Sequence, residues 1–212
     1  MKIEQASFLK RHDRIAFAHA HFAPWLKTSV LDVGCDTAPL RQLVGPDTRY
    51  YGIDIGGAPD QVVNLEETAR LPFDDASFET VVCFEVLEHL DALHRVLDEI
   101  FRVARSNVIV SLPNCWCSAR RCIERGTGKI AHYGLPVERP VDRHTWFLAA
   151  TEIEDFFKAQ AERRPGVKLQ TIVGAEKPRP FPVNALRHLR FSDSAYANRY
   201  AHTVFAHFTV KR

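Results

Sequence analysis

Paired cysteines are missing from this 212-residue sequence. Its five cysteines, Cys35, Cys83, Cys115, Cys117 and Cys122, are odd in number and include no CxxC pair. That excludes a disulfide-stapled scaffold and points to a reduced, intracellular protein. The cluster CWCSARRC at 115–122 lacks the spacing of a common zinc module, so free thiols are expected there. Long apolar runs are missing as well. None approaches the ~18 residues needed to span a bilayer, and residues 1–22 carry charges throughout where a signal peptide would have an apolar block. A cytoplasmic address without membrane insertion is expected. Excess charge of one sign is also lacking: 28 Lys and Arg against 26 Asp and Glu leave a net +2. Nucleic acid is therefore an unlikely partner, although Arg120, Arg121 and Arg125, or Arg187 and Arg190, could form a local patch.

Compact apolar runs predict strands near 29–33, 49–54, 61–64, 80–84 and 107–112. Between the last two, HLDALHRVLDEIFRVAR repeats Leu93, Val96, Leu97, Ile100, Phe101 and Ala104 at helical spacing. A second helix is expected from Thr151, with Thr151 and Glu154 as a capping box and Pro165–Gly166 as its stop. Alternating strands and helices imply a parallel sheet covered on both faces. VKLQTIV and AHTVFAHFTVKR are strand-like and could pair as an antiparallel hairpin at the sheet edge, joined by a long proline-bearing loop. With no repeat and no low-complexity linker, residues 1–212 read as one domain.

The chemistry concentrates where VLDVGCDTAP leaves the first of these strands. Gly34 allows a sharp turn and a close backbone approach to a ligand. Asp54, ending YYGIDI about 20 positions later, has the spacing of a ribose-binding carboxylate. Taken alone, Asp54 is equally a strand-end cap and Asn64 a turn residue. A dinucleotide suits the loop poorly: Asp36 puts negative charge where a pyrophosphate would sit, and Pro39 removes a donor. A phosphate-free adenosine ligand tolerates both. S-adenosylmethionine (SAM) is such a ligand.

Five blocks in order, VLDVGCDTAP, YYGIDI, VVNLEETARLPFDDASFETVVCFEVLEHL, VLDEIFRVAR and VIVSLPN, resemble the class I SAM-dependent methyltransferases, most closely their type 11 branch. The resemblance implies a Rossmann-like α/β fold: a seven-stranded, mostly parallel sheet with an antiparallel last strand and helices on both faces. It implies that Asp32, Gly34 and Cys35 embrace the methionine part of the cofactor and that Asp54 binds the ribose. Ile55 would lie beside the adenine, Asn64 and Leu65 would meet its edge, and Glu85 and Val86 would line the methyl-donor region. Residues 1–28 would form a helical cap over the cofactor mouth, stopped near Pro24. Residues 113–148 would be a substrate-side insertion.

Proton acceptors for a hydroxyl or amine are sought after the fourth and fifth strands, at His89, His132, Tyr133 and His144; His89 and His144 are the catalytic candidates. Glu85, Glu88 and His89 share a face if EVLEH is helical. With His144 they would resemble the metal set of ubiquinone-pathway and small-RNA 2′-O-methyltransferases. Relatives without metal also carry VLEH, so no metal is assigned. The expected acceptor is a small molecule or glycan precursor, methylated at oxygen. An RNA 2′-hydroxyl, or a non-catalytic SAM-binding module, is the alternative.

Overall fold

The computed structural model describes residues 1–7, 11–138, 140 and 142–212, with Arg11 through its backbone alone. Its strands are β1 (Lys2–Gln5), β2 (Ser29–Val33), β3 (Arg49–Asp54), β4 (Gln61–Val62), β5 (Phe78–Phe84), β6 (Ala104–Pro113), β7 (Val167–Glu176) and β8 (Ala201–Val210). The helices are α1 (Arg11–Phe22), α2 (Leu93–Val103), α3 (Cys115–Arg125), α4 (Ala150–Glu162), α5 (Phe181–Arg190) and α6 (Asp193–Tyr200). The strands form one sheet in the order β1-β7-β8-β6-β5-β2-β3-β4. All pairings are parallel except those of β8, which runs antiparallel to β6 and β7.

Strands β2, β5 and β6 are near-continuous apolar runs because both sheet faces are covered. Alternate side chains divide between two clusters. Val30, Val82, Ile109 and Phe205 meet Ala18 and Phe22 of α1 on one face. Leu31, Val81, Val108 and Phe208 meet Leu97 and Ile100 of α2 and Phe157 of α4 on the other. Each such fully buried side chain contributes roughly 1.5–3 kcal/mol. The α2 stripe is buried as its spacing predicts, except that Ala104 opens β6 instead of ending the helix.

Four details differ from the sequence expectation. The sheet has eight strands, because KIEQ pairs parallel with β7. A four-residue charged segment carries little strand signal, yet charge and shortness suit an edge strand. Strand β8 inserts between β6 and β7, so the β7–β8 pair is not the edge. The presumed long loop holds α5 and α6; Pro182 lies in the first turn of α5, where a missing N–H costs nothing. The cap of α4 is also shifted: the Glu152 carboxylate accepts from the Ala149 N–H at 2.8 Å. Thr151 instead donates its N–H to Asn198, and Glu154 takes the Met1 ammonium at 3.1 Å.

The sheet order reverses between β2 and β5, since β3 and β4 extend one way and β6 the other. Ligands of open α/β sheets settle beyond the strand ends at such a point. Gly34 and Val86 meet there.

Candidate active site

A Cβ added to Gly34, at φ +80°, would lie 2.1 Å from Val86 Cγ2, so β2 and β5 can close together only over a bare residue. The next positions keep a glycine-like path without glycine: Asp36 and Ala38 stand at φ 50° and 54°. Left-handed backbone suits Asp better than Ala, for which it costs roughly 1–2 kcal/mol. What holds the path is a set of ties to the β3 end. Asp36 N–H donates to Asp54 Oδ2 at 2.8 Å, and Ala58 N–H donates to the Asp36 carbonyl at 2.7 Å. Gly57, at φ +81°, passes so close to that carbonyl that a Cβ would sit 2.2 Å from its oxygen.

Asp54 Oδ1 accepts from Ile55 N–H at 2.6 Å and Gly56 N–H at 3.1 Å. Three of about four lone-pair sites are thus used for shaping the ledge, leaving the half-buried carboxylate room for a further donor. Ile55 is 69% exposed, an apolar surface beside that carboxylate. Asp32 is buried, its Oδ2 accepts from Tyr50 Oη–H at 2.6 Å, and burial pushes its carboxyl up to about 7. Burial, with Asp32 and Asp54 nearby, pushes the Cys35 thiol up to about 12, so it is no nucleophile. Asn64 Oδ1 accepts from Glu66 N–H at 3.0 Å and caps a turn, leaving its amide nitrogen as the outward donor. Leu65 is packed in the core on the α2 face, which leaves only its backbone for an adenine edge.

Glu85 sits at φ 57° directly after β5, a strained position of the kind found at functional sites. Its carboxylate accepts from Arg14 of α1 at 2.5 Å and from Ser111 at 3.4 Å. Because Leu87–His89 forms only a 3-10 turn, Glu85, Glu88 and His89 do not share a helix face. Glu85 turns to Arg14, whereas Glu88, His89 and His144 place ligand atoms within 4.8 Å of one another.

Backbone bonds sew this turn to DRHTW, more than fifty residues later. Thr145 N–H donates to the Glu88 carbonyl at 2.8 Å, and Trp146 Nε1–H to the Leu90 carbonyl at 2.8 Å. His89 Nδ1 meets the Arg143 carbonyl at 3.0 Å, and His144 Nδ1 meets Tyr133 Oη at 3.0 Å while that hydroxyl donates to the Trp146 carbonyl at 2.5 Å. Both Nδ1 atoms therefore carry hydrogen, and both Nε2 lone pairs face Glu88 Oε1, at 3.6 Å and 4.0 Å. Such outer partners fix a metal-binding tautomer. Burial, together with His89 and His132, pushes His144 down to about 4, so it is neutral near pH 7. Glu88 is 1% exposed, its Oε2 has no hydrogen-bond partner, and burial beside Glu85 raises its carboxyl well above the ordinary range.

The Glu88 carboxyl and the Nε2 atoms of His89 and His144 are oxygen and nitrogen ligands of the kind that hold a divalent cation. Asp142, which carries no motif of its own in the sequence, reaches His89 at 3.3 Å and His132 at 3.4 Å. His132 stacks on His144 at 4.2 Å. Arg14 and Tyr50 are likewise silent in the sequence, since a charged residue on an N-terminal helix and a strand tyrosine carry no motif of their own. The cysteines are free and join no candidate metal group among the described residues. Arg139 and Val141, in the 113–148 insertion, lie outside the described residues.

Residues 31–112 match the family model described as a methyltransferase domain. No curated protein sequence matches the chain. A SAM-dependent methyltransferase from Archaeoglobus fulgidus superposes with a TM-score of 0.56 at 17% identity, covering 96% of either chain. The small RNA methyltransferase HEN1 superposes with a TM-score of 0.61 at 16% identity, over 100% of this chain and 27% of that one. The magnesium protoporphyrin IX methyltransferase of Synechocystis PCC 6803, crystallised with SAH, gives 0.54 at 13% identity, over 94% of this chain and 83% of that one. At these identities the superpositions speak for the fold alone.

Proposed function

We propose that the chain is a class I SAM-dependent methyltransferase that methylates a hydroxyl oxygen of a small-molecule or glycan-precursor acceptor presented at Glu88, His89 and His144. The observation that carries this reading is the buried Glu88 carboxyl, whose Oε1 faces the Nε2 atoms of His89 and His144 at 3.6 Å and 4.0 Å and whose Oε2 has no partner, two residues beyond Val86. The cofactor's methyl group is already activated, so the chain's work is alignment, exclusion of water and removal of the acceptor proton. Gly34 makes room for the methionine part, Asp54 takes the ribose hydroxyls, and Ile55 lies under the adenine. Asp32 and Cys35 support the loop from beneath, Glu85 and Val86 line the methyl-donor side, and Asn64 with the Leu65 backbone borders the adenine.

A divalent cation held by Glu88, His89 and His144 would lower the acceptor hydroxyl's pKa and fix its oxygen. The orphaned carboxylate oxygen and the Nδ1 partners of both histidines fit that role. His132, stacked on His144 and within 3.4 Å of Asp142, is the imidazole outside this set that takes the proton. Transfer of labelled methyl from SAM into a metabolite extract tests the reading. Label should transfer, fall at least tenfold with EDTA and return with Mn²⁺; transfer indifferent to EDTA contradicts the cation.

A second reading starts from the name of the small RNA methyltransferase HEN1, whose fold covers all of this chain over 27% of its own. In that reading the acceptor would be an RNA 2′-hydroxyl presented at Glu88, His89 and His144 of this chain. Against it stands a net charge of only +2. Label appearing in added small RNA, and not in the extract, would select it.

A further inference from the structure

Cations concentrate in one place on this nearly neutral chain. A cavity of about 220 Å³, beyond the carboxyl end of β7 and the start of β8, is lined by Arg120, Arg121, Lys177, Arg179, Arg187 and Arg199. The carboxylates nearby are already answered. Glu176 is 3% exposed and accepts from Tyr196 Oη–H at 2.7 Å and Asn184 Nδ2–H at 3.2 Å. Glu124 accepts from Arg120 at 2.8 Å and Arg199 at 2.6 Å. Arg121, Lys177, Arg179 and Arg187 pair with no carboxylate among the described residues, and the Nε atoms of Arg120 and Arg199 are buried without a partner.

The charges act into the same space. His202, on the cavity wall, is pushed down to about 4 by burial and by Lys177, Arg121 and Arg179. Cys117, 3.7 Å from His202, lines the floor. Clustered guanidinium groups match the geometry of phosphate oxygens. Glu124 answers Arg120 and Arg199, but Arg121, Lys177, Arg179 and Arg187 leave an excess of positive charge that a bound anion would offset.

The cavity's position relates it to the methyl site. Helix α3 starts at Cys115, whose thiol lies 2.8 Å from Tyr133 Oη beside His144, and carries Arg120 and Arg121 farther along. Five or six helical residues span about 8–9 Å. The strand ends β5, β6, β8 and β7 put the two places about 14 Å apart across the sheet.

We propose that this cavity binds a phosphoryl group of the methyl acceptor, making the substrate a small phosphorylated molecule whose hydroxyl reaches Glu88, His89 and His144. The proposal rests on the methyltransferase reading for the acceptor's role, whereas the anion site itself can be measured without cofactor. Calorimetry of the full chain with inorganic pyrophosphate, a nucleoside diphosphate and a short single-stranded RNA tests it, alongside R187Q and the exposed-residue pair R121Q/K177Q. Pyrophosphate and the diphosphate should bind the unaltered protein and weaken at least tenfold in both variants, with SAH affinity kept. The His202 ring proton resonances should titrate at higher pH once pyrophosphate is present. Absence of pyrophosphate binding, or equal binding in the variants, overturns the proposal. RNA binding that the variants lose, with no pyrophosphate binding, overturns it in favour of a nucleic-acid surface. Pyrophosphate bound as expected with no SAH binding upholds the anion site and removes the methyltransferase reading.

Discussion

The backbone N–H of Asp36 donates to the Asp54 carboxylate at 2.8 Å, joining the turn after β2 to the end of β3. This bond lets the loop do without two of its usual glycines. A left-handed Asp36 delivers its N–H to the carboxylate, and its carbonyl is taken by Ala58 from the other side. The carboxylate that is proposed to hold the ribose therefore also holds the loop proposed to hold the methionine.

Replacing Asp54 by Ala should weaken SAH binding by roughly 1–3 kcal/mol, the worth of charge-assisted hydrogen bonds. Calorimetry checks this. Affinity equal to that of the unaltered protein would put the ribose elsewhere.

Gly34→Ala should destabilise the fold by about 1–3 kcal/mol, because the new Cβ would lie 2.1 Å from Val86 Cγ2 at a backbone φ of +80°. Ala38→Gly should act in the opposite direction. Relief of about 1–2 kcal/mol of left-handed strain exceeds the added unfolded-chain entropy of about 0.4–1 kcal/mol. Urea unfolding of the two variants checks both signs.

Two groups of buried residues oppose each other as pH changes. His144, His202 and His207 are each pushed down to about 4 by burial, from an ordinary 6.5. Unfolded, they bind protons that the native state refuses, so their contribution is present above pH 6.5 and is lost as pH falls toward 4. Asp32, raised from 3.8 to about 7, runs the other way: its contribution is present below 3.8 and is lost as pH rises through 7. Asp32→Asn should therefore make stability climb more steeply between pH 4.5 and 7 than in the unaltered protein. A shallower climb in urea unfolding would contradict the assignment.

Glu88→Gln should abolish Mn²⁺ binding, as read by the metal's electron spin resonance, while circular dichroism stays unchanged. The amide fits the same space and removes an uncompensated buried carboxylate, so folding stability should hold or rise. Mn²⁺ binding that survives in the variant would move the cation away from Glu88.

Elements with local signals were legible in the sequence. The central strands are continuous apolar runs, and the α2 stripe repeats with helical period. Gly34 and Asp54, 20 positions apart, lie at neighbouring strand ends whose turns are joined by the Asp36–Asp54 hydrogen bond. EVLEH and DRHTW were legible as pieces, but their union was not, because it depends on backbone hydrogen bonds between Glu88 and Thr145 across the insertion. The separation of Glu85 from that cluster was also hidden: it follows from a φ of 57° and from Arg14, which reaches in from another helix. KIEQ and the α5 segment failed for a related reason. One is a strand only because β7 offers an edge, and the other is a helix despite prolines that usually mark loops.

The most direct test is a crystal structure grown with SAH and Mn²⁺, with anomalous data collected at the manganese edge. The account predicts an anomalous peak bonded to a Glu88 carboxylate oxygen, His89 Nε2 and His144 Nε2, with the SAH ribose on Asp54 and its sulfur facing that peak. An ordered SAH with no peak at those three side chains, or a ribose away from Asp54, would contradict it.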